Sequence, residues 1–170
     1  QTFENYRAAK GRMFAMLGTS YRKPRQSKIS VINGDDANAG YFKDVSADPT
    51  HSNVWAGLVP PTAGEASLAP TGGEGEGRRA DRIVTYGIET RADVRGTDII
   101  HYPGYTQFVV QFDQRAEVFH LPLVGRFNVY NALAAITLTR ALGVQIEVIQ
   151  RGLLSVTAIP GRMERIDAGQ

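Results

Sequence analysis

The chain has 170 residues, 42% of them apolar, and balances 19 Lys and Arg against 17 Asp and Glu for a net charge of +2. That apolar share excludes global disorder and is enough for one domain with a small subdomain. The absence of cysteine excludes a disulfide framework and a thiolate metal site. A two-charge excess argues against nucleic acid as a partner, even with a sequence pI near 9.0. No apolar run approaches the ~18 residues of a membrane span, so no membrane partner is expected. The opening Gln1-Thr2-Phe3-Glu4 does not read as a signal peptide, and a cytoplasmic protein is the expectation.

Phe3, Tyr6, Lys10, Met13, Phe14 and Leu17 recur at helical spacing, which predicts an amphipathic helix over 2–17 capped by Thr2 and ended by Gly18. The basic stretch 21–28 reads as a solvated loop, with a phosphate-binding patch as the alternative. Ser27 to Asn33 is a β-branched strand, Gly34-Asp35-Asp36 turns the chain, and Ala37 to Val45 forms a second helix. Strand followed by helix is an α/β signature. Over 48–82, Pro60, Pro61, Pro70 and the run Gly-Gly-Glu-Gly-Glu-Gly predict a long flexible insertion, with Trp55 as an anchor. That run lacks a following Lys-Ser/Thr and is not a phosphate loop.

Strands are predicted at 83–87, 94–102, 106–113 and 117–123, with a hairpin at Gln114-Arg115, giving a small, largely antiparallel sheet. Phe127 to Leu142 is a helix closed by Gly143, Glu147 to Val156 is another, and Gly161 to Asp167 is a last strand. The expected organisation is an α/β part made of 1–47 and 124–160, the insertion 48–82, the antiparallel sheet 83–123, and a linking segment 161–170.

Four positions invite chemistry. Lys10 shares the stripe of Phe3, Tyr6 and Met13, so it is expected to be partly buried, by snorkelling or beside an acid. Alternatively, desolvation lowers its pKa, and the neutral amine takes up carbon dioxide as a carbamate able to hold Mg²⁺ through oxygen. Asn128 and Asn131 lie three apart in the first turn of a helix; they serve as cap and backbone partner, or as the donor–acceptor pair that reads an adenine edge. Arg162, after Pro160-Gly161, reaches a phosphate or ribose, or pairs with Glu164. Asn33, Asp35 and Asp36 stand just past a strand end, where a helix cap is favoured over a metal site. His51, His101 and His120 show no ligand spacing.

In order, Tyr6-Arg7-Ala8-Ala9-Lys10, Val31-Ile32-Asn33-Gly34-Asp35-Asp36, Thr85-Tyr86-Gly87, Gly125-Arg126-Phe127-Asn128-Val129-Tyr130-Asn131 and Pro160-Gly161-Arg162-Met163-Glu164 resemble the Mur ligases. Within that family the likeness is greatest to the tripeptide-synthetase (MurE) branch. It covers nearly the whole chain outside about 48–82. It implies an α/β central domain, a parallel sheet flanked by helices, with a small mainly antiparallel subdomain. The implied activity is ATP-dependent amide-bond formation, which adds a diamino acid to UDP-MurNAc-dipeptide through an acyl phosphate. The same resemblance implies ATP and Mg²⁺ as cofactors, Lys10 as the carbamylated Mg²⁺ ligand, Asn128 and Asn131 at adenine, and Arg162 near the nucleotide. The family's Gly-Lys-Thr-Thr phosphate loop lies outside these 170 residues, so the chain alone is expected to be monomeric, inactive and unmodified at Lys10. Rival readings are a MurF-type or folylpolyglutamate synthetase-like ligase, or a non-catalytic nucleotide-binding module.

Overall fold

Thr2 starts the first helix as predicted: its hydroxyl accepts from the Asn5 amide, and α1 runs over Phe3–Thr19. In the computed structural model, residues 2–21, 27–47, 80–112 and 115–158 are described. The chain continues through β1 (Ile29–Asn33), α2 (Ala39–Ala47), β2 (Arg82–Gly87), β3 (Val94–Tyr102), β4 (Tyr105–Phe112), β5 (Arg115–Leu121), α3 (Arg126–Ala141) and α4 (Ile146–Leu154). The strands form one five-stranded sheet in the order β1-β2-β3-β4-β5. β2 and β3 run parallel, while β3–β4 and β4–β5 are antiparallel, so the expected mixed α/β architecture stands. The described residues belong to two compact units, one drawn from Gln1–Ile32 and Asp36–Ile83, the other from Asn33–Asp35 and Val84–Gln170.

The first unit turns part of the expected face of α1 to solvent, while Phe14 of the same stripe packs inward. Phe3, Tyr6 and Met13 are 63%, 57% and 64% exposed, whereas Gly11 and Ala15 are buried. The reason is close packing on α2. A Cβ at Gly11 would stand 2.5 Å from the Tyr41 hydroxyl, Ala15 packs with Val45, and the Phe14 and Phe42 rings meet at 5.2 Å. Small residues let two helix backbones approach, and that contact decides which stripe is covered. Ile32 of β1 joins Ala39 and Phe42 in the same core.

The basic stretch needs a second correction. Lys28 is 8% exposed, not a solvated loop residue; its Nζ donates to the Ser20 carbonyl at 2.7 Å and its amide to Asp81 Oδ2 at 2.8 Å. Residues 22–26 lie outside the described part, as do 48–79 of the expected insertion, Trp55 and His51 among them, and 161–167 of the last strand. The end of that insertion is ordered: the Ala80 amide donates to the Ser46 carbonyl, and Arg82 opens β2.

In the second unit, Phe108, Val110 and Phe119 are fully buried on one face of the sheet. Alternation along β4 buries Thr106, Phe108 and Val110 and leaves their neighbours half-covered. The β3–β4 register shifts between Thr97 and Ile100, where Asp98 takes φ +49°, a bulge that single positive-φ residues accommodate. Helix α3 buries Val129, Ala132, Leu133, Ile136 and Thr137. Leu133 closes on β3 because position 96 is glycine; a Cβ there would be 3.0 Å from its methyl. Gln150 of α4 donates to the Val118 carbonyl of β5 at 2.9 Å.

Candidate functional site

The site is built where α3 begins. Gly125 precedes the helix with φ +107°, a conformation that suits glycine, and its carbonyl accepts from the Asn128 amide at 3.0 Å. Asn128 is not the cap; it lies inside the first turn and is 5% exposed. Its Nδ2 donates to the Val124 carbonyl at 3.0 Å, while its Oδ1 is buried with no protein partner. Asn131, three residues on, is exposed.

A carboxylate fixes the surroundings of this turn. Asp35, half-buried after β1, accepts from the amides of Ile88 (2.6 Å), Glu89 (3.0 Å) and Thr90 (2.7 Å). It also accepts from the Thr90 hydroxyl at 2.6 Å and the Tyr130 hydroxyl at 2.9 Å. Desolvation pushes its pKa up, but the bonds from Ile88, Thr90 and Tyr130 more than offset this and hold it below the usual carboxylate value. Tyr130 responds in the opposite sense: burial, and then its bond to the Asp35 anion, raise its pKa. Arg126 pairs with Glu89 and so ties the same loop to the helix start. Two glycines make room. A Cβ at Gly87 would be 2.9 Å from Asp35 Oδ1, and one at Gly34 would be 3.2 Å from Thr90 Oγ1.

Asp35 and Asp36 therefore do different work. Asp36 accepts from the amide of Asn38 at 2.8 Å and its side chain at 3.0 Å, the expected turn before α2, whereas Asp35 grips the loop after β2. Each carboxylate is thus committed to a different segment of backbone. Among the described residues no group of three or more His, Cys, Asp or Glu could hold a metal ion. His101 meets Thr106 Oγ1 at 3.0 Å and His120 meets Gln107 Oε1 at 3.2 Å, ordinary sheet-surface bonds.

Lys10 is exposed, and its Nζ stands 4.5 Å from the centre of the Tyr6 ring. The expectation of a lysine embedded among apolar neighbours is overturned, because the stripe it shares faces solvent. Arg162 lies outside the described residues. Sequence reading missed Glu89, Thr90, Arg126 and Tyr130. The available signal was the pair of glycines, 34 and 87, each beside a polar turn. A separate open cleft of about 520 Å³ in the second unit is lined by Thr85, Arg91, Ala92, Asp93, Arg95 and Gln111.

Comparison with known proteins assigns the chain. The Mur ligase middle domain family matches residues 72–139. UDP-N-acetylmuramoyl-L-alanyl-D-glutamate--2,6-diaminopimelate ligase of Geobacillus thermodenitrificans (strain NG80-2) is 33% identical over 169 residues, 99% of this chain and 28% of that protein. UDP-N-acetylmuramyl-tripeptide synthetase of Roseiflexus sp. (strain RS-1) is 35% identical over 172 residues, again 99% of this chain and 28% of the relative. The crystal structure of MurF from Acinetobacter baumannii superposes with a TM-score of 0.66 at 20% identity, over 98% of this chain and 28% of that one, a likeness of fold. The chain thus spans a little over a quarter of the length of the curated relatives it matches. Across that span, its similarity is to the Mur ligase family.

Proposed function

We propose that this chain is the nucleotide-facing part of the central domain of a MurE-type ligase, which joins a diamino acid to UDP-MurNAc-L-Ala-D-Glu at the expense of ATP. One observation carries the reading: 33% identity over 99% of the chain to a ligase whose name states the two molecules joined, UDP-N-acetylmuramoyl-L-alanyl-D-glutamate and 2,6-diaminopimelate. The alignment runs through α1 with Lys10 and, separately, through the turn with Asn128 and Asn131.

The residues present suit a nucleotide. Asn131, exposed, carries a donor and an acceptor, as an adenine edge requires. Asn128 holds the turn below it through Val124 and keeps one buried acceptor uncommitted. Arg162, later in sequence than α4, would contact the phosphate or ribose. Lys10, as a carbamate, would present oxygen to Mg²⁺; its exposure on α1 supplies none of the desolvation that favours a neutral amine, so this role rests on the alignment with the ligases alone. ATP supplies the phosphoryl group that activates the substrate carboxylate, and Mg²⁺ screens its charge. Around that chemistry the residues of this chain bind and orient: Asn131 fixes the base, Lys10 the metal and Arg162 the phosphate or ribose. Substrates of this kind, ATP and a UDP-linked sugar peptide, place the whole protein in the cytoplasm.

The test is ATP-dependent ligation by the full-length protein. Asn131→Ala should raise the KM for ATP about tenfold, the value of one good hydrogen-bonding group. Lys10→Ala should abolish turnover and recover part of it with formate as a replacement anion. An Asn131→Ala enzyme with the parent KM, or a Lys10→Ala enzyme with the parent rate, would refute the assignment.

A further inference from the structure

The grip of Asp35 reaches further than the turn it belongs to. It joins three separate stretches of chain: the turn after β1, the loop at 88–90 after β2, and α3 through Tyr130. Tyr130 immediately precedes Asn131, and one residue is a step of about 100° around a helix. Arg126, four residues before Tyr130 and so on the same helical face, is tied to Glu89 of that loop. Two clasps therefore hold one side of the opening turns of α3, and Asn131 projects beside them.

We propose that Asp35 is a positioning residue for the nucleotide: through Tyr130 and the loop 88–90 it fixes the rotation of α3 about its axis, and with it the direction of the Asn131 amide. This inference rests on the reading of Asn131 given above. The alternative, that the knot merely keeps α3 attached, is disfavoured by the packing. Val129, Leu133 and Ile136 are already fully buried, so packing alone secures the helix and sets which stripe meets the sheet; it leaves the fine rotation of the exposed side, where Asn131 lies, to other contacts. Hydrogen bonds are directional and supply what packing lacks. The glycines at 34 and 87 show the arrangement is built, since a side chain at either would displace Thr90 or Asp35. No atom of Asp35 needs to touch the ligand.

Steady-state kinetics of the full-length ligase against ATP test this. Tyr130→Phe removes one hydroxyl and keeps the ring; it should raise the KM for ATP about threefold to fivefold and leave kcat within about twofold. Asp35→Asn, which turns a donor toward the amides at 88–90, should raise it more. In the double variant Tyr130→Phe/Asn131→Ala, the KM should match that of Asn131→Ala alone, because both changes remove the same contact. A melting curve taken alongside separates loss of fold from loss of aim. A Tyr130→Phe enzyme with the parent KM, beside an Asn131→Ala enzyme whose KM rises, overturns the positioning role and leaves the adenine reading standing. KM effects that multiply in full also overturn it. If Asn131→Ala itself leaves KM unmoved, the adenine reading falls and this proposal falls with it.

Discussion

Lys10 and Asp35 are charged residues that follow the same sequence logic, and the structure treats them in opposite ways. Lys10 sits in an apolar stripe that turns out to face solvent, and its ammonium has the face of Tyr6 as its neighbour. Asp35 sits in an ordinary polar turn and is gripped by backbone amides and hydroxyls from two other segments. The difference shows that a charge is committed by what distant elements bring to it, not by its own neighbours in sequence. A group saturated in this way serves the architecture, and a group left in water is not needed for it. Substitutions at the two positions should therefore separate stability from chemistry.

The largest effect is expected at the carboxylate. Asp35→Ala strips acceptors from three amides and two hydroxyls at once and should lower unfolding stability by about 3 kcal/mol, since donors left without partners carry a desolvation cost. Urea denaturation measures it; a loss under about 1 kcal/mol would mean that water replaces the knot. Gly125→Ala comes next. Its φ of +107° is strained for any residue with a Cβ, which would also stand 3.1 Å from the Phe127 ring, so a loss of about 2 kcal/mol is expected. An unchanged denaturation midpoint would show that the turn relaxes freely.

Titration gives smaller effects with fixed signs. The pKa of Asp35 is lowered in the folded state from its ordinary 3.8, so its contribution is complete above 3.8 and is lost as pH falls through the lower folded value. Tyr130, raised from 10.0, contributes fully below 10.0 and loses that contribution as pH climbs through the higher folded value. The parent should therefore weaken at both extremes. Asp35→Asn should show a shallower acid limb and Tyr130→Phe a shallower alkaline limb, measured as melting temperature against pH. Limbs that match the parent in both variants would remove this pair as their source.

Much of the fold was legible because its signals are local. The extended stretch Val94–Tyr102 was readable as β3, alternation marked β4 to within about one residue at each end, and Thr2 marked the start of α1. Helix periodicity and Gly143 bracketed α3 to within about two residues, the usual uncertainty of helix ends. The buried face of α1 was not legible. Two stripes share its 3.6-residue period, and the large apolar one outweighs Gly11 and Ala15 in any hydrophobicity reading, although the small pair permits the contact with α2. The asparagine turn was visible as a pattern, but its support was not. The partners of Asp35 lie 53 to 95 residues away, a separation that no local spacing reports.

The smallest change tests the exposed partner in the comparison. Lys10 sits on the solvent face of α1, so Lys10→Ala should leave stability within about 0.5 kcal/mol of the parent. The cation over Tyr6 contributes little in water, and alanine is itself the best helix former, so the two effects oppose each other. If the side chain is kept for chemistry and not for packing, this thermodynamically silent substitution must be the one that stops ligation in the full-length protein. In the 170-residue chain, intact-mass measurement should find Lys10 without carbon dioxide, because a carbamate on an exposed amine is held by the metal it binds. A variant that loses several kcal/mol would return Lys10 to a structural role, and stable carbamylation without added Mg²⁺ would mean that the protein alone protects the modified amine.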